Sequence, residues 1–347
     1  MGFKKFIFFS LITVFFSFMF LSCDLSVIFT RASKKNLDTD DSQTIETVTR
    51  TQAAAYMQDF IQDISSYARG QKPGFIIIPQ NAEELAFVDA SQRRGISTSY
   101  LNAVDGFGIE ELFFNDRGRA INDRDRVSML ETLRDRGKKI LVSDYVLNND
   151  DYSYSAEQNY GKNFIAFPRA NNNYDYKYIP AINDSIAEMF LMNDDDIITL
   201  SDAKNYLYLI RPNNYGNSKD RYLEDIRSTD YDVILIDLFF GGRDLTAYDL
   251  AQLKTKNNGA SRLVISYISI GSAENYRYYW KQGWKIGSPS WILKSYPGYS
   301  SEYWVRYWDP QWQDIIFGND QSYIKRIINA GFDGVYLDNV EAYLHIN

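Results

Sequence analysis

The sequence predicts an α/β fold, a (βα)8 TIM barrel in a single domain. Three observations predict it. Eight apolar runs have strand length, segments of helical spacing separate consecutive runs, and a helix stands ahead of the first run while none follows the last. An open doubly wound sheet is the alternative that the same alternation permits. The surplus helix in front and the deficit behind cancel only if the two ends of the sheet meet.

The chain opens with Lys4 and Lys5, an apolar run over residues 6–21, and then Ser22-Cys23-Asp24. A short basic stretch, an apolar segment and a small residue make the pattern of a secretory signal. It resembles the bacterial lipoprotein signal, which implies Cys23 as the lipidated residue. An uncleaved anchor is the alternative, although the run falls a little short of the ~20 residues that span a bilayer. Residues 1–22 are therefore expected to be a signal peptide and 23–50, polar and without apolar period, a flexible tether. The expected location is the cell envelope, as an exported, membrane-anchored lipoprotein on the periplasmic or outer surface. Residues 51–347 are left for the barrel, in two halves, 51–190 and 191–347.

Residues 53–69 carry Met57, Phe60, Ile61, Ile64 and Tyr67 at helical spacing, and Gly70 closes the helix. FIIIP (75–79) is a continuous apolar run between Gly74 and Pro79, as expected of a strand covered on both faces. Helix 82–94, strand 101–106, helix 123–136, strand 139–145, helix 156–160 and strand 163–167 follow, then an Asn- and Tyr-rich loop over 168–178. The second half reads as strand 205–210, helix 219–227, strand 233–238 (VILIDL), helix 247–256 and strand 263–270 (LVISYISI). A long Trp-rich excursion leads into a helix ending near Ala330 and a last strand, 333–338.

Composition removes several functions. The formal net charge of -8 argues against a nucleic-acid partner, and loss of Lys4 and Lys5 with the signal would take it to about -10. One Cys and one His, the latter at position 345, leave neither a Ser-His-Asp site nor a Cys/His zinc cluster. No cofactor or metal is expected, and catalysis must fall to carboxylates, Tyr, Lys or Arg. The 27 Tyr and 22 Phe allow a groove whose ring faces stack on sugars, or are simple compositional bias.

Four stretches carry a family resemblance: YDVILIDL (231–238), VISYISIGSAENYRYYW (264–280), YWVRYWDPQWQDIIF (303–317) and AGFDGVYLDNVEAY (330–343). They resemble glycoside hydrolase family 114, the endo-α-1,4-polygalactosaminidase type. FIIIPQNAEEL (75–85), LNAVDGFGIEELFFND (101–116) and KKILVSDYV (138–146) resemble it too, but stand in reversed order, since in the family the DGVYLDNV-like strand precedes them. The resemblance implies a circularly permuted barrel, in agreement with the helix surplus and deficit.

Glycosidases need two carboxyl groups flanking the scissile bond, and in a barrel these lie past the C-terminal ends of strands. Asp338 meets that condition, and the resemblance implies that it is catalytic; we expect it to be the nucleophile. The resemblance implies Glu110 as the second catalytic acid, with neighbouring Glu111 the alternative register, and we expect it to be the general acid/base. Asp237 and Asp144 also end strands and are candidates for sugar hydroxyls or for an amino group. Asn81, Tyr267, Glu274 and Arg277 are further substrate-binding candidates, the last two equally readable as a surface ion pair on a helix. Trp304, Trp308 and Trp312 offer stacking faces or form the private core of the excursion.

The expected function is a lipid-anchored glycoside hydrolase cutting an α-linked, galactosamine-containing polysaccharide. Its partners are that polysaccharide and, through the N-terminal lipid, a membrane. A catalytically inactive carbohydrate-binding or structural lipoprotein on the same barrel is the alternative, since fold alone does not fix function.

Overall fold

The computed structural model describes residues 48–167, 176–180 and 190–346. The signal, Cys23 and nearly all of the tether lie outside the described residues, as does most of the loop at 168–178.

The first helix, α1 (Arg50–Gln71), starts where Thr49 and Gln52 close a reciprocal capping box. It buries Met57, Phe60, Ile61 and Ile64, the spacing that the sequence displays. Chain order then runs β1 (Ile76–Pro79), α2 (Thr98–Ala103), β2 (Gly106–Glu110), α3 (Arg124–Asp135), β3 (Lys139–Ser143), α4 (Asn149–Tyr160), β4 (Ile165–Ala166) and β5 (Tyr206–Leu209). Next come α5 (Lys219–Arg227), β6 (Val233–Asp237), a small hairpin of β7 (Phe239–Phe240) and β8 (Arg243–Asp244), α6 (Ala247–Leu253) and β9 (Leu263–Ser269). The Trp-rich excursion holds β10 (Ser272–Glu274), β11 (Ile292–Ser295) and β12 (Glu302–Val305), followed by α7 (Pro310–Ile316), α8 (Tyr323–Ala330) and β13 (Gly334–Asp338).

Five strands form a parallel sheet in the order β1-β13-β9-β6-β5, and β2-β3-β4 form a second parallel set. A parallel bridge between Gln80 and Gly108 joins the two sets at β1 and β2. The first strand therefore pairs with the last, Ile76 opposite Gly334 through Pro79 opposite Leu337. Helix α1 packs on the segments that lead into that last strand: Tyr307 Oη donates to Ala53 O at 2.7 Å and Lys72 Nζ to Phe332 O at 2.6 Å.

The sheet is strongly curled. Tyr208 on β5 donates from its hydroxyl to Gln80 Oε1, past β1, at 3.3 Å. Four steps of ~4.8 Å would put these strands ~19 Å apart in a flat sheet, which two side chains cannot bridge. The Tyr208 and Tyr336 rings likewise meet at 5.5 Å although β5 and β13 are three strands apart. At the other edges, Phe167 beyond β4 lies 5.4 Å from Tyr206 of β5, and Arg211 N–H donates to Tyr176 O at 2.9 Å.

Three expectations are corrected. Residues 101–103 belong to helix α2, and the second strand is Gly106–Glu110. Residues 82–94 form three short 3-10 turns instead of one helix. Glu274 lies on strand β10, so its pair with Arg277 is not a helical one. The second strand was obscured by Gly106 and Gly108, residues of low strand propensity. The glycines have a packing reason: a Cβ on Gly108 would lie 2.0 Å from Tyr336 Oη, and one on Gly106 2.6 Å from Lys139 O.

Gly108→Ala should therefore force the buried Tyr336 ring aside and cost ~1–3 kcal/mol, measured as a lower denaturant midpoint. An unchanged midpoint would mean that the ring does not pack over Gly108.

Candidate active site

Parallel strands of one curled sheet end on the same side, so whatever stands at their C-terminal ends converges. Here the ends of β1, β2, β5, β6 and β13, together with the excursion strands β10 and β12, surround a cavity of ≈ 1340 Å³. That exceeds the ~300–1,000 Å³ usual for a drug-sized ligand, leaving room for more than one sugar unit.

Asp338 is the last residue of β13. Its Oδ1 accepts the Asn339 N–H at 2.7 Å, and its Oδ2 accepts the Tyr267 hydroxyl. Burial pushes the carboxyl above its ordinary range, while the two hydrogen bonds and the nearby Arg211 favour the ionised form. Asn339 turns the chain with φ at 59°, and its side chain donates to Ser269 Oγ at 2.9 Å, Ser272 Oγ at 3.0 Å and Glu302 Oε1 at 3.1 Å. Gly271 lets that turn approach, since a Cβ there would lie 2.0 Å from Asn339 O.

Glu110 ends β2. Its Oε1 accepts the Tyr145 hydroxyl at 2.9 Å and the Tyr176 hydroxyl, and the two phenols are 3.0 Å apart. The Tyr176 ring stacks on Tyr208 at 3.8 Å. Asn81 Oδ1 accepts the Glu110 N–H at 3.0 Å, and Arg126 clamps the turn from below, donating to Glu110 O at 3.0 Å, Glu111 O at 3.2 Å and Asn81 Oδ1 at 3.2 Å. Glu111 also lines the cavity, in a left-handed conformation with φ at 57°. Glu110 and Asp338 share a floor: the phenols of Tyr208 and Tyr336 are held well above 10 by burial, and both carboxylates push them in the same direction.

On the opposite wall Arg277 holds two acids. Its guanidinium donates to Asp237 at 2.7 and 3.0 Å and to Glu274 Oε2 at 2.5 Å. The Tyr276 hydroxyl donates to the other oxygen of Glu274. Burial raises the Asp237 carboxyl and the Arg277 charge opposes it.

Asp144 does not reach the cavity. Fully buried, it accepts the N–H groups of Leu112, Phe113 and Phe114 at 2.9, 2.8 and 3.2 Å, and the Ser155 hydroxyl at 2.6 Å. It thereby shapes the turn after Glu110 rather than meeting a ligand. Trp308 also lies off the cavity, against Tyr56 and Tyr307, while Trp304 and Trp312 are buried in the excursion. The rings on the cavity wall belong to Tyr176, Tyr208, Tyr267, Tyr276, Tyr278, Tyr296, Tyr299, Phe239 and Phe240. The structure thus brings Asp338, Glu110, Asn81, Tyr267, Asp237, Glu274 and Arg277 to one cavity, and leaves Asp144 and Trp308 out of it.

Several wall residues escaped the sequence reading. Glu341, three residues past Asp338, has a buried Oε2 without a hydrogen-bond partner among the described residues, and burial with Asp338 and Glu110 nearby pushes its carboxyl up to about 8. Glu302 is pushed up to about 7, first by burial and then by Glu274. Both acids sit inside or beside the motifs quoted above, which was the available signal. Tyr145 lies inside the motif at 138–146, but its link to Glu110, like that of Tyr176, exists only through the fold.

The model of glycoside-hydrolase family GH114 matches residues 210–347. An uncharacterized protein of Deinococcus radiodurans is 36% identical over 129 residues, which cover 37% of this chain and 38% of that protein. One from Thermotoga maritima is 33% identical over 119 residues, 34% of this chain and 35% of its own length. A third, from Methanocaldococcus jannaschii, is 33% identical over 153 residues, 44% of this chain and 42% of its own. The chain thus spans well under half the length of the curated relatives it matches. The stretch matched by the glycoside-hydrolase family model contains Asp237, Tyr267, Glu274, Arg277, Glu302 and Asp338.

Proposed function

We propose that this protein is a glycoside hydrolase that cuts a polysaccharide with Asp338 and Glu110. The observation that carries the reading is the convergence of these two carboxyl groups, 228 positions apart in sequence, on one cavity above Tyr208 and Tyr336. The family match to residues 210–347 supports the reaction class.

The two acids have different surroundings, as their roles require. Asp338 receives hydrogen bonds on both oxygens and feels Arg211, which preserves negative charge in a partly buried place; it is the nucleophile. Glu110 accepts both phenols on Oε1, neutral donors that orient the carboxyl without a counter-charge, as suits a group that gives a proton to the leaving group and then takes one from water. Tyr267 and Tyr145 position these two groups.

The finer reading is an α-linked, galactosamine-containing polymer, supported by a cavity wall with eight carboxylic acids against three arginines among the described residues. It includes a closed, circularly permuted (βα)8 barrel. The pairing of β1 with β13, the position of α1 and the restriction of the family match to the second half all support that arrangement. It also includes export and lipidation at Cys23, which rests on the sequence pattern at residues 4–24.

Reducing-end release from a galactosamine polymer tests the reading. Glu110→Gln should lower kcat by ~10²–10⁴-fold and Asp338→Asn by at least as much. Equal release by all three proteins would overturn the assignment, and binding without release would leave a carbohydrate-binding protein.

Tyr267→Phe probes the tuning of Asp338. The lost hydrogen bond favours the ionised carboxyl, so its removal raises the Asp338 pKa. Activity that needs this group ionised disappears as pH falls through its pKa. The acid limb of kcat/KM should consequently move to higher pH in the variant, with the alkaline limb in place.

A further inference from the structure

Resting on that reading of the cavity, we propose that Glu302 is a specificity-determining residue, whose carboxylate docks the ammonium group of an amino-sugar unit bound beside Asp338. Asp237 and Asp144 were the strand-end acids that the sequence offered for an amino group. Neither is available: Arg277 holds Asp237 with two hydrogen bonds, and backbone N–H groups hold Asp144 outside the cavity. Glu274 is held by the same arginine.

Glu302 differs from all three. It stands on β12 directly opposite Glu274 of β10. Its Oε1 accepts the Ser272 hydroxyl and the Asn339 amide, the latter at 3.1 Å. No ion pair is formed by Glu302 among the described residues, and Oε2 takes part in none of these bonds while the residue lines the cavity. One oxygen is thus anchored and the other is aimed, the pre-organisation that a docking point requires. Asn339 links this anchor to Asp338, whose Oδ1 accepts its backbone N–H, so the docked amino group and the catalytic carboxylate belong to one rigid turn. The groups that face Glu302 are the acids Glu274 and Asp338, with the phenols of Tyr267 and Tyr296 beyond them. Arg277, bound to Glu274, and Arg211, which acts on Asp338, are the cations nearby, and each is already engaged with an acid other than Glu302.

Burial, and then Glu274, push the Glu302 carboxyl up to about 7, so a share of the empty sites carries its proton at neutral pH. Docking of –NH3+ sets an N–H···Oε2 contact and drives the proton to solvent, with no bond made or broken in the sugar.

Calorimetric titration with a galactosamine oligosaccharide at pH 7, in two buffers of different ionisation enthalpy, reads this directly. Wild type should release measurably more protons per bound chain than Glu302→Gln, a variant that keeps an acceptor for Ser272 and Asn339. Turnover is the second arm. Glu302→Gln should raise KM about tenfold or more on the free-amine polymer, and lose the preference over the N-acetylated polymer, with kcat reduced far less than in Glu110→Gln. Ser272→Ala, which frees the anchored oxygen but keeps the charge, should fall between. Equal proton release by wild type and Glu302→Gln, or an unchanged preference for free amine, overturns the docking role. If wild type releases no reducing ends while the calorimetric difference stands, the hydrolase reading falls and the docking site remains.

Discussion

The four-residue ladder between β1 and β13 is the contact on which the rest depends. It sets Ile76–Pro79 beside Gly334–Leu337 in parallel, so that residues far apart in the chain leave the sheet side by side. Gln80 N–H continues the ladder onto Leu337 O, and Asn81 N–H passes to Gly108 O, which brings the end of β2, and hence Glu110, beside those of β1 and β13. The cavity is a consequence of this pairing. Both candidate acids line it, Asp338 at the end of β13 and Glu110 at the end of β2.

The strands most legible in the sequence were those buried on both faces, where VILID, LVISYIS and GVYLD read as unbroken apolar runs. Strand β2 was not, because a neighbour's phenol occupies the place of its side chain at Gly108, a constraint that lies in β13 and leaves no mark on β2 itself. Within the site the same division holds. Asp338 and Glu110 sit at strand ends in long motifs and were identifiable there. Asp144 looks the same on paper, yet three backbone N–H groups claim it, and nothing in residues 138–146 distinguishes an acid turned to a cavity from one turned to a loop. Glu302 required knowing that β12 folds back on β10.

The cavity sorts its acids by the kind of donor it gives them. Asp237 and Glu274 meet a full positive charge on Arg277, which pins them as structure. Asp338 and Glu110 meet phenols, which orient an oxygen without cancelling a charge. An acid held by neutral donors remains able to exchange a proton or attack a carbon centre. The abundance of tyrosine in this chain thus has a local meaning at the cavity floor, beyond its use as packing material.

All six tryptophans, from Trp280 to Trp312, fall within the excursion between β9 and α8 or at its edges. Four of them form a chain of ring contacts, Trp280 to Trp284 at 5.5 Å, Trp284 to Trp291 and Trp291 to Trp312 at 5.0 Å each. Tryptophan emission, excited beyond the tyrosine band, is for that reason a regional signal. It reports the flap of chain that carries Glu274 and Glu302, and is silent about the parallel sheet. An unfolding curve recorded by that emission follows the excursion, whereas one recorded by far-ultraviolet dichroism follows the helices and strands of the whole molecule.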